Sequence, residues 1–304
     1  MADVDAASIA ERLLRLKCTR PFDGMDTRSL SVLAGAGREV VCSTRTQLAA
    51  EGERASAHWV PLTGRLQALR RGEPLPGEPI ENGFGGLSLL TEQPMPVDLF
   101  AEAGTVLFVL DADALLETFE ENGGLAREAL RAMARSVLDA RRKAGASESL
   151  PVTVQSREQG QQFDLISRMM LIRSAVGLQA RNAAILTRLA RVARVERLPP
   201  GRILGPAGPA DLVVVVEGKL KGRPDDEDGP ASGRGALYGL MESVLSVPRT
   251  VPVVTTTDTT VLVVSHSEIQ EALEDDDRLC IGLIRLAALE LWRAFWTAHP
   301  LPGA

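Results

Sequence analysis

Four separated anchors in this 304-residue chain recur at one fixed spacing. Gly64, in Leu62-Thr63-Gly64-Arg65-Leu66, is answered 154 residues on by Gly218 in Val216-Glu217-Gly218-Lys219-Leu220. Gly85 and Gly239 hold the same separation, as do Pro94 and Pro248 and the apolar runs 106–110 and 260–264. A period kept across four anchors means duplication, and at 154 residues the unit is a domain rather than a solenoid repeat. The chain must therefore adopt a fold that half of it can build alone, and build twice.

Within each half the pattern changes in the same order. Ala6, Ile9, Ala10, Leu13 and Leu14 follow i, i+3, i+4, i+7 spacing and predict an amphipathic helix over 6–17. Residues 38–110 break into short apolar runs between Gly and Pro, as antiparallel strands do. Helical period returns over 111–145 with Leu115, Leu116 and Phe119, then Leu130, Met133, Ala134 and Val137. Asn122-Gly123-Gly124 predicts a break between two helices there. The polar stretch 144–162 reads as a linker, and the second half repeats the sequence of elements.

The segment Phe84-Gly85-Gly86-Leu87-Ser88-Leu89-Leu90-Thr91-Glu92-Gln93-Pro94-Met95 resembles the phosphate-binding cassette of cyclic nucleotide-binding domains, roughly F-G-E-L-A-L-L-x-x-x-P-R-x-A-T. Tyr238-Gly239-Leu240-Met241-Glu242-Ser243-Val244, with Pro248-Arg249-Thr250, repeats it. Pro21-Phe22-Asp23-Gly24-Met25-Asp26 is similar to the family's opening signature. Pro199-Pro200-Gly201-Arg202-Ile203-Leu204 and Gly208-Pro209-Ala210-Asp211 are similar to its first hairpin. The second half has Ala175-Val176-Gly177-Leu178 where the opening signature belongs, and the first half matches the hairpin weakly. The resemblance implies an α+β chain of two tandem antiparallel β-rolls (double-stranded β-helices), each flanked by helices. Its expected layout is domain 1 over 1–145, a linker over 146–160 and domain 2 over 161–304.

In that family the cassette forms a short helix whose N–H groups face the cyclic phosphate, a glutamate accepts from the ribose 2′-hydroxyl, and an arginine neutralises the phosphate. Here the glutamate position is Gly86 and the arginine position is Met95. A guanidinium fork makes charge-assisted bonds that a thioether cannot. Each partner group left unpaired costs a ligand ~1–3 kcal/mol. Gly85, Gly86, Leu87 and Met95 thus form a degenerate cassette, expected to bind no cyclic nucleotide, and Asp98 would repel a phosphate if it faced the site. The second cassette offers Gly239, Met241, Glu242, Arg249 and Thr250 as candidate ligand-binding residues. Arg249 stands at the phosphate position, Thr250 adds a hydroxyl donor, Leu240 replaces the glutamate, and Glu242 lies two residues on. An alternative stays open: Arg249 pairs with Glu242 or Glu217 and binds nothing.

Charge and composition exclude several classes. Net charge is −6, with 34 Lys and Arg against 40 Asp and Glu, and neither half is basic, which argues against a nucleic-acid surface. Arg141-Arg142-Lys143 reads as a helix C-terminus that suits cations. No apolar run reaches the ~18–20 residues that span a bilayer, and the acidic N-terminus shows no secretory signal, so a cytoplasmic protein is expected. Cys18, Cys42 and Cys280 are expected as buried free thiols. Asp225-Asp226-Glu227-Asp228-Gly229 reads as a solvated hairpin tip without EF-hand spacing, and no metal site is expected. His58, His266 and His299 assemble no catalytic set, and neither a nucleophile elbow nor a Walker loop occurs, so no enzyme is expected.

The last helix carries apolar residues around most of its girth between Ile281 and Trp296. Such a helix must be buried on several sides. Packing on its own roll is one reading; contact with the first domain or a second copy, through Ile284, Leu291, Trp292, Phe295 and Trp296, is the other. The sequence therefore points to a non-enzymatic regulatory or scaffold protein without cofactor. It would dock another protein or itself, as a homodimer through this helix. The alternative is a cyclic nucleotide sensor working through Arg249.

Overall fold

The computed structural model of the chain describes residues 3–18, 22, 24–75, 80, 83–144, 164–176, 183–205, 207–222 and 231–298. The expected linker over 146–160 and the acidic tip over 225–229 lie outside the described residues. The chain forms two compact units, one of 1–133 with 287–304 and one of 134–286.

The first unit opens with helices α1 (Asp3–Lys17) and α2 (Thr27–Ala36). Asp26 caps α2, its carboxylate accepting from Ser29 N at 2.7 Å. The roll follows as β1 (Arg38–Cys42), β2 (Thr46–Ala49), β3 (Ala57–Thr63), β4 (Leu66–Arg70) and β5 (Glu73–Pro74), then the short helix α3 (Gly86–Thr91), β6 (Asp98–Ala101) and β7 (Thr105–Asp111). Helices α4 (Ala112–Glu121) and α5 (Gly123–Ala144) come next, the part of α5 after Met133 belonging to the second unit, and Asn122 ends α4 as its sequence predicts. Strands pair antiparallel in two sheets, β1-β7-β3 and β2-β6-β4-β5.

The second unit repeats the order with α6 (Leu165–Val176), α7 (Ala183–Val192), β8 (Arg194–Leu198), β9 (Ile203–Leu204), β10 (Leu212–Glu217), β11 (Leu220–Gly222), β12 (Ala231–Ser232) and β13 (Leu237–Tyr238). It continues through α8 (Leu240–Leu245), β14 (Val253–Thr255), β15 (Thr259–Val264), α9 (His266–Asp275) and the start of α10 (Asp277–Ala298), whose residues from Ala287 on belong to the first unit. Its sheets run β13-β10-β15-β8 and β12-β11-β14-β9. The architecture is α+β, with two antiparallel β-rolls flanked by helices.

The repeat extends to strand register. Trp59 opposes Val109 as Val213 opposes Val263, and Leu66 opposes Ala101 as Leu220 opposes Thr255. Gly64 and Gly218 turn each hairpin at φ 79° and 84°. At Gly64 a Cβ would stand 2.6 Å from Thr105 Oγ1, so the turn needs glycine for space as well as for φ. The hydroxyl of Thr105 lies 3.3 Å from Arg65 N and 3.2 Å from Arg65 O, tying the hairpin shut. Thr259 does the same for Lys219, at 3.3 and 3.2 Å.

Alternation along the central strands sorts side chains between two faces. Trp59 joins the roll interior with Leu66, Leu99, Leu107 and Val109, and Val213 and Val215 do so with Leu220, Tyr238 and Val261. His58 and Val60, and Leu212 and Val214, take the intervening positions, on strands whose outer faces carry α3 in the first unit and α6 and α8 in the second. Of the three thiols, all free, Cys42 and Cys280 are buried, but Cys18 is exposed, because it falls in the turn just after α1. Among the described residues no helix is long and apolar enough to cross a membrane.

Candidate functional site

Both cassettes keep their backbone frame. Gly85 and Gly239 precede α3 and α8 in the left-handed region, at φ 96° and 81°. Neither has room for a side chain. A Cβ on Gly85 would meet Ala57 O at 2.6 Å and the Trp59 ring at 2.7 Å, and one on Gly239 would meet the Asp211 carbonyl and the Arg249 guanidinium. Glu92 and Ser246 close the two helices, again at positive φ.

In the first cassette the frame surrounds apolar matter. Met95, at the arginine position, is 1% exposed and belongs to the roll core with Trp59, Leu66 and Val97. Leu87 is half-buried, and its carbonyl accepts from Thr91 Oγ1 at 2.7 Å. Asp98 accepts from Glu51 N at 2.9 Å and Gln47 Nε2 at 3.3 Å, so its carboxylate is engaged on β2 and the following turn.

The glutamate position has been claimed by a histidine that sequence reasoning passed over. The His58 imidazole is buried, and its Nδ1 lies 2.9 Å from Phe84 O. A carbonyl only accepts, so Nδ1 carries the proton and Nε2 is left as an acceptor. Nε2 is buried with no hydrogen-bond partner among the described residues. Burial pushes the imidazole pKa down to about 4, against the opposing pull of the Phe84 carbonyl. A Cβ on Gly86 would stand 3.1 Å from His58 Nδ1, and one on Gly83 would stand 2.9 Å from Cε1. The ring thus occupies the space beside the missing glutamate. The equivalent positions in the second unit, Leu212 and Leu240, are both buried leucines.

In the second cassette the polar residues are present and engaged with one another. Arg249 is 6% exposed and donates from Nη2 to Asp211 O at 3.0 Å. The Asp211 side chain accepts from His266 N at 3.0 Å, fixing the start of α9, where Ser265 is the cap. Gln270 of α9 donates to Ser243 O and Val244 O at 2.7 and 3.1 Å, holding the end of α8. Glu242 is 1% exposed and accepts at Oε1 from Thr250 N at 3.2 Å and Thr250 Oγ1 at 2.9 Å. Arg141, at the end of α5, brings its guanidinium to 3.7 Å from Glu242 Oε2. Arg141 lies in the last turn of α5, as expected, and is also a half-buried partner of α8, which the helix-end charge pattern could not show. Met241 is fully buried.

The residues proposed for an interface are distributed unevenly. Ile284 is 1% exposed, whereas Leu291, Trp292 and Phe295 are half-buried; the Trp296 side chain lies outside what is described. Within the first unit the Phe295 ring meets Phe84 edge-on at 6.4 Å between centroids. Among the described residues no group of His, Cys, Asp and Glu could hold a metal ion.

No family model matches the chain, and no curated protein does. Solved structures are similar to it at low identity. The cAMP-bound regulatory domain of protein kinase A from Toxoplasma gondii is 16% identical over 90% of this chain and 94% of that one, with a TM-score of 0.34. The regulatory subunit of a cAMP-independent protein kinase A from Trypanosoma brucei is 14% identical over 96% and 92%, with a TM-score of 0.36. Its guanosine-bound counterpart from Trypanosoma cruzi is 15% identical over 96% and 93%, at 0.34. On its own strand registers, cassette helices and glycine caps, the chain is a tandem pair of divergent domains with the cyclic nucleotide-binding-like fold.

Proposed function

We propose that this is a non-enzymatic cytoplasmic regulatory or scaffold protein whose two rolls have kept their fold as docking surfaces for another protein or a second copy. The observation that carries this reading is the inward use of the family's anchors. Met95 is packed into the first roll, and in the second Glu242 and Thr250 are hydrogen-bonded to each other. A ligand entering either cassette would have to displace a packed side chain or an existing bond, each of which opposes binding. Calorimetric titration of the full chain with cyclic AMP, cyclic GMP and cyclic dinucleotides tests it. No saturable heat is expected at millimolar ligand, and saturable micromolar binding would overturn the reading.

One observation favours a second reading, in which the protein senses a cyclic nucleotide through its second cassette. Arg249 survives at the phosphate position, with its guanidinium against Gly239 at the start of α8. Under that reading the same titration saturates, and Arg249→Ala abolishes it.

A further inference from the structure

The second roll has an open edge. β8 (Arg194–Leu198) is the last strand of the sheet β13-β10-β15-β8, and among the described strands it pairs with β15 alone. Every second residue of such a strand turns its N–H and C=O away from the sheet. Val195 stands on this edge 41% exposed, and the flanking side chains of Arg194 and Glu196 are 64% and 42% exposed. Arg194 Nη2 lies 3.9 Å from Glu196 Oε1 and 3.7 Å from Asp211 Oδ2, both beyond hydrogen-bond reach, so these contacts fix neither group. The matched edge of the first roll differs. Val41, at the position of Val195 (195 − 41 = 154), is 69% exposed, but Val40 and Cys42 stand where Arg194 and Glu196 do. The charges that β1 does carry are engaged, Arg38 with Asp111 at 3.2 and 3.3 Å and Glu39 with Arg12 at 2.7 Å.

Charges on an edge strand keep other strands away. They also select a partner whose charges answer them. When two copies of one strand pair antiparallel about a two-fold axis, opposed residues share a face, so the axis passes where one residue meets its own copy. Centring on Arg194, Glu196 or Arg197 would set a charge against itself, which is destabilising. Centring on Val195 sets valine against valine and each Arg194 against the other copy's Glu196. Pro199 and Pro200 cannot donate and end the ladder on one side, and Arg168 Nη1, donating to Ala193 O at 3.1 Å, ends it on the other. We propose that β8 is a self-pairing edge, joining the second rolls of two copies antiparallel about Val195, with Arg194 of each facing Glu196 of the other. This rests on the reading that the rolls serve as docking surfaces, and it names the surface and the partner. The strand is five residues long, so the contact is smaller than a standard interface and the dimer is weak and reversible.

Sedimentation velocity on the full chain, from micromolar to about 1 mM protein, tests it. Wild type should show a concentration-dependent equilibrium of monomer and dimer. Val195→Lys, Arg194→Glu and Glu196→Arg should each raise the dissociation constant about tenfold or more, since each sets like charges opposite one another. An equimolar mixture of the Arg194→Glu and Glu196→Arg chains should associate again, because their altered charges are complementary only to each other. A wild-type monomer throughout the range, association that these substitutions leave unchanged, or a mixture that associates no better than its components overturns the proposal. Should Arg194→Glu fail to fold beside Asp211, unchanged association in Val195→Lys and Glu196→Arg still overturns it. Saturable nucleotide binding by wild type would defeat the functional reading separately, whatever the oligomeric state.

Discussion

Acid should destabilise the first unit through His58, by an amount that can be worked out. The ring is buried, with Nδ1 bonded to Phe84 O and Nε2 lacking a partner among the described residues, and its pKa is pushed down to about 4 from 6.5. The unfolded chain takes up a proton as pH falls below 6.5, whereas the folded chain resists until about 4. Stability is therefore insensitive to this group above neutrality and declines as pH falls through that window. At about 1.36 kcal/mol per pH unit the full loss is roughly 3.4 kcal/mol, of which ~1.4 kcal/mol is reached by about pH 5.5. Leucine, which the second unit uses at the equivalent position as Leu212, provides a variant that cannot titrate. Denaturant unfolding of wild type and His58→Leu at about pH 7.5 and 5.5 isolates the imidazole, because carboxylates shared by both cancel. The stability difference between the two proteins should shift against wild type by ~1.4 kcal/mol over that interval. A difference that does not move with pH would mean that His58 is solvated or has found a partner, and the argument would fail.

Other perturbations have equally definite outcomes. Met95→Arg, which restores the family's arginine, should yield no nucleotide binding in calorimetry and cost about 3–5 kcal/mol in denaturant unfolding, because it places an unpaired charge in a packed core. Gly85→Ala should destabilise by about 2–4 kcal/mol, combining a left-handed backbone penalty with a Cβ 2.6 Å from Ala57 O; a variant within a few tenths of wild type would contradict the described cap. Gln270→Ala should speed hydrogen exchange at the end of α8, since two carbonyls there lose their donor; unchanged protection would show that the helix is held elsewhere.

Much of the fold was legible because duplication writes it twice. The 154-residue spacing of Gly64 with Gly218 and Gly85 with Gly239 marked positions where only glycine fits, and the structure supplies the reason in each positive φ and crowded Cβ. The helix break at Asn122 was legible from local turn chemistry. The site was less so. Sequence reading saw that Met95 could not bind phosphate but not that it served the core, since core membership depends on Trp59 and Val97 across the roll. Glu242 was a candidate ligand-binding residue, and the open alternative paired it with Arg249. Its partners are Thr250, eight residues on, and Arg141, about a hundred residues earlier, a separation no local pattern encodes. His58 carried no motif at all; its only trace was the run of glycines at 83, 85 and 86 that makes room around the ring and the cassette.

The hairpin fastened by Thr105 in one roll and by Thr259 in the other has a practical consequence. Since both fasteners use an uncharged hydroxyl against the main chain, the scaffold's geometry is indifferent to what the cassette contains. Segments 84–95 and 238–249 begin at matched strand pairs, Phe84 against Trp59 and Tyr238 against Val213, and near their ends Pro94 and Pro248 bridge Arg54 and Pro209, one residue out of step. They are cartridges of one length set in two sockets of like plan. Swapping them within the molecule would ask whether a socket's neighbours or the cartridge's own side chains decide what it can hold, with each half acting as the other's control.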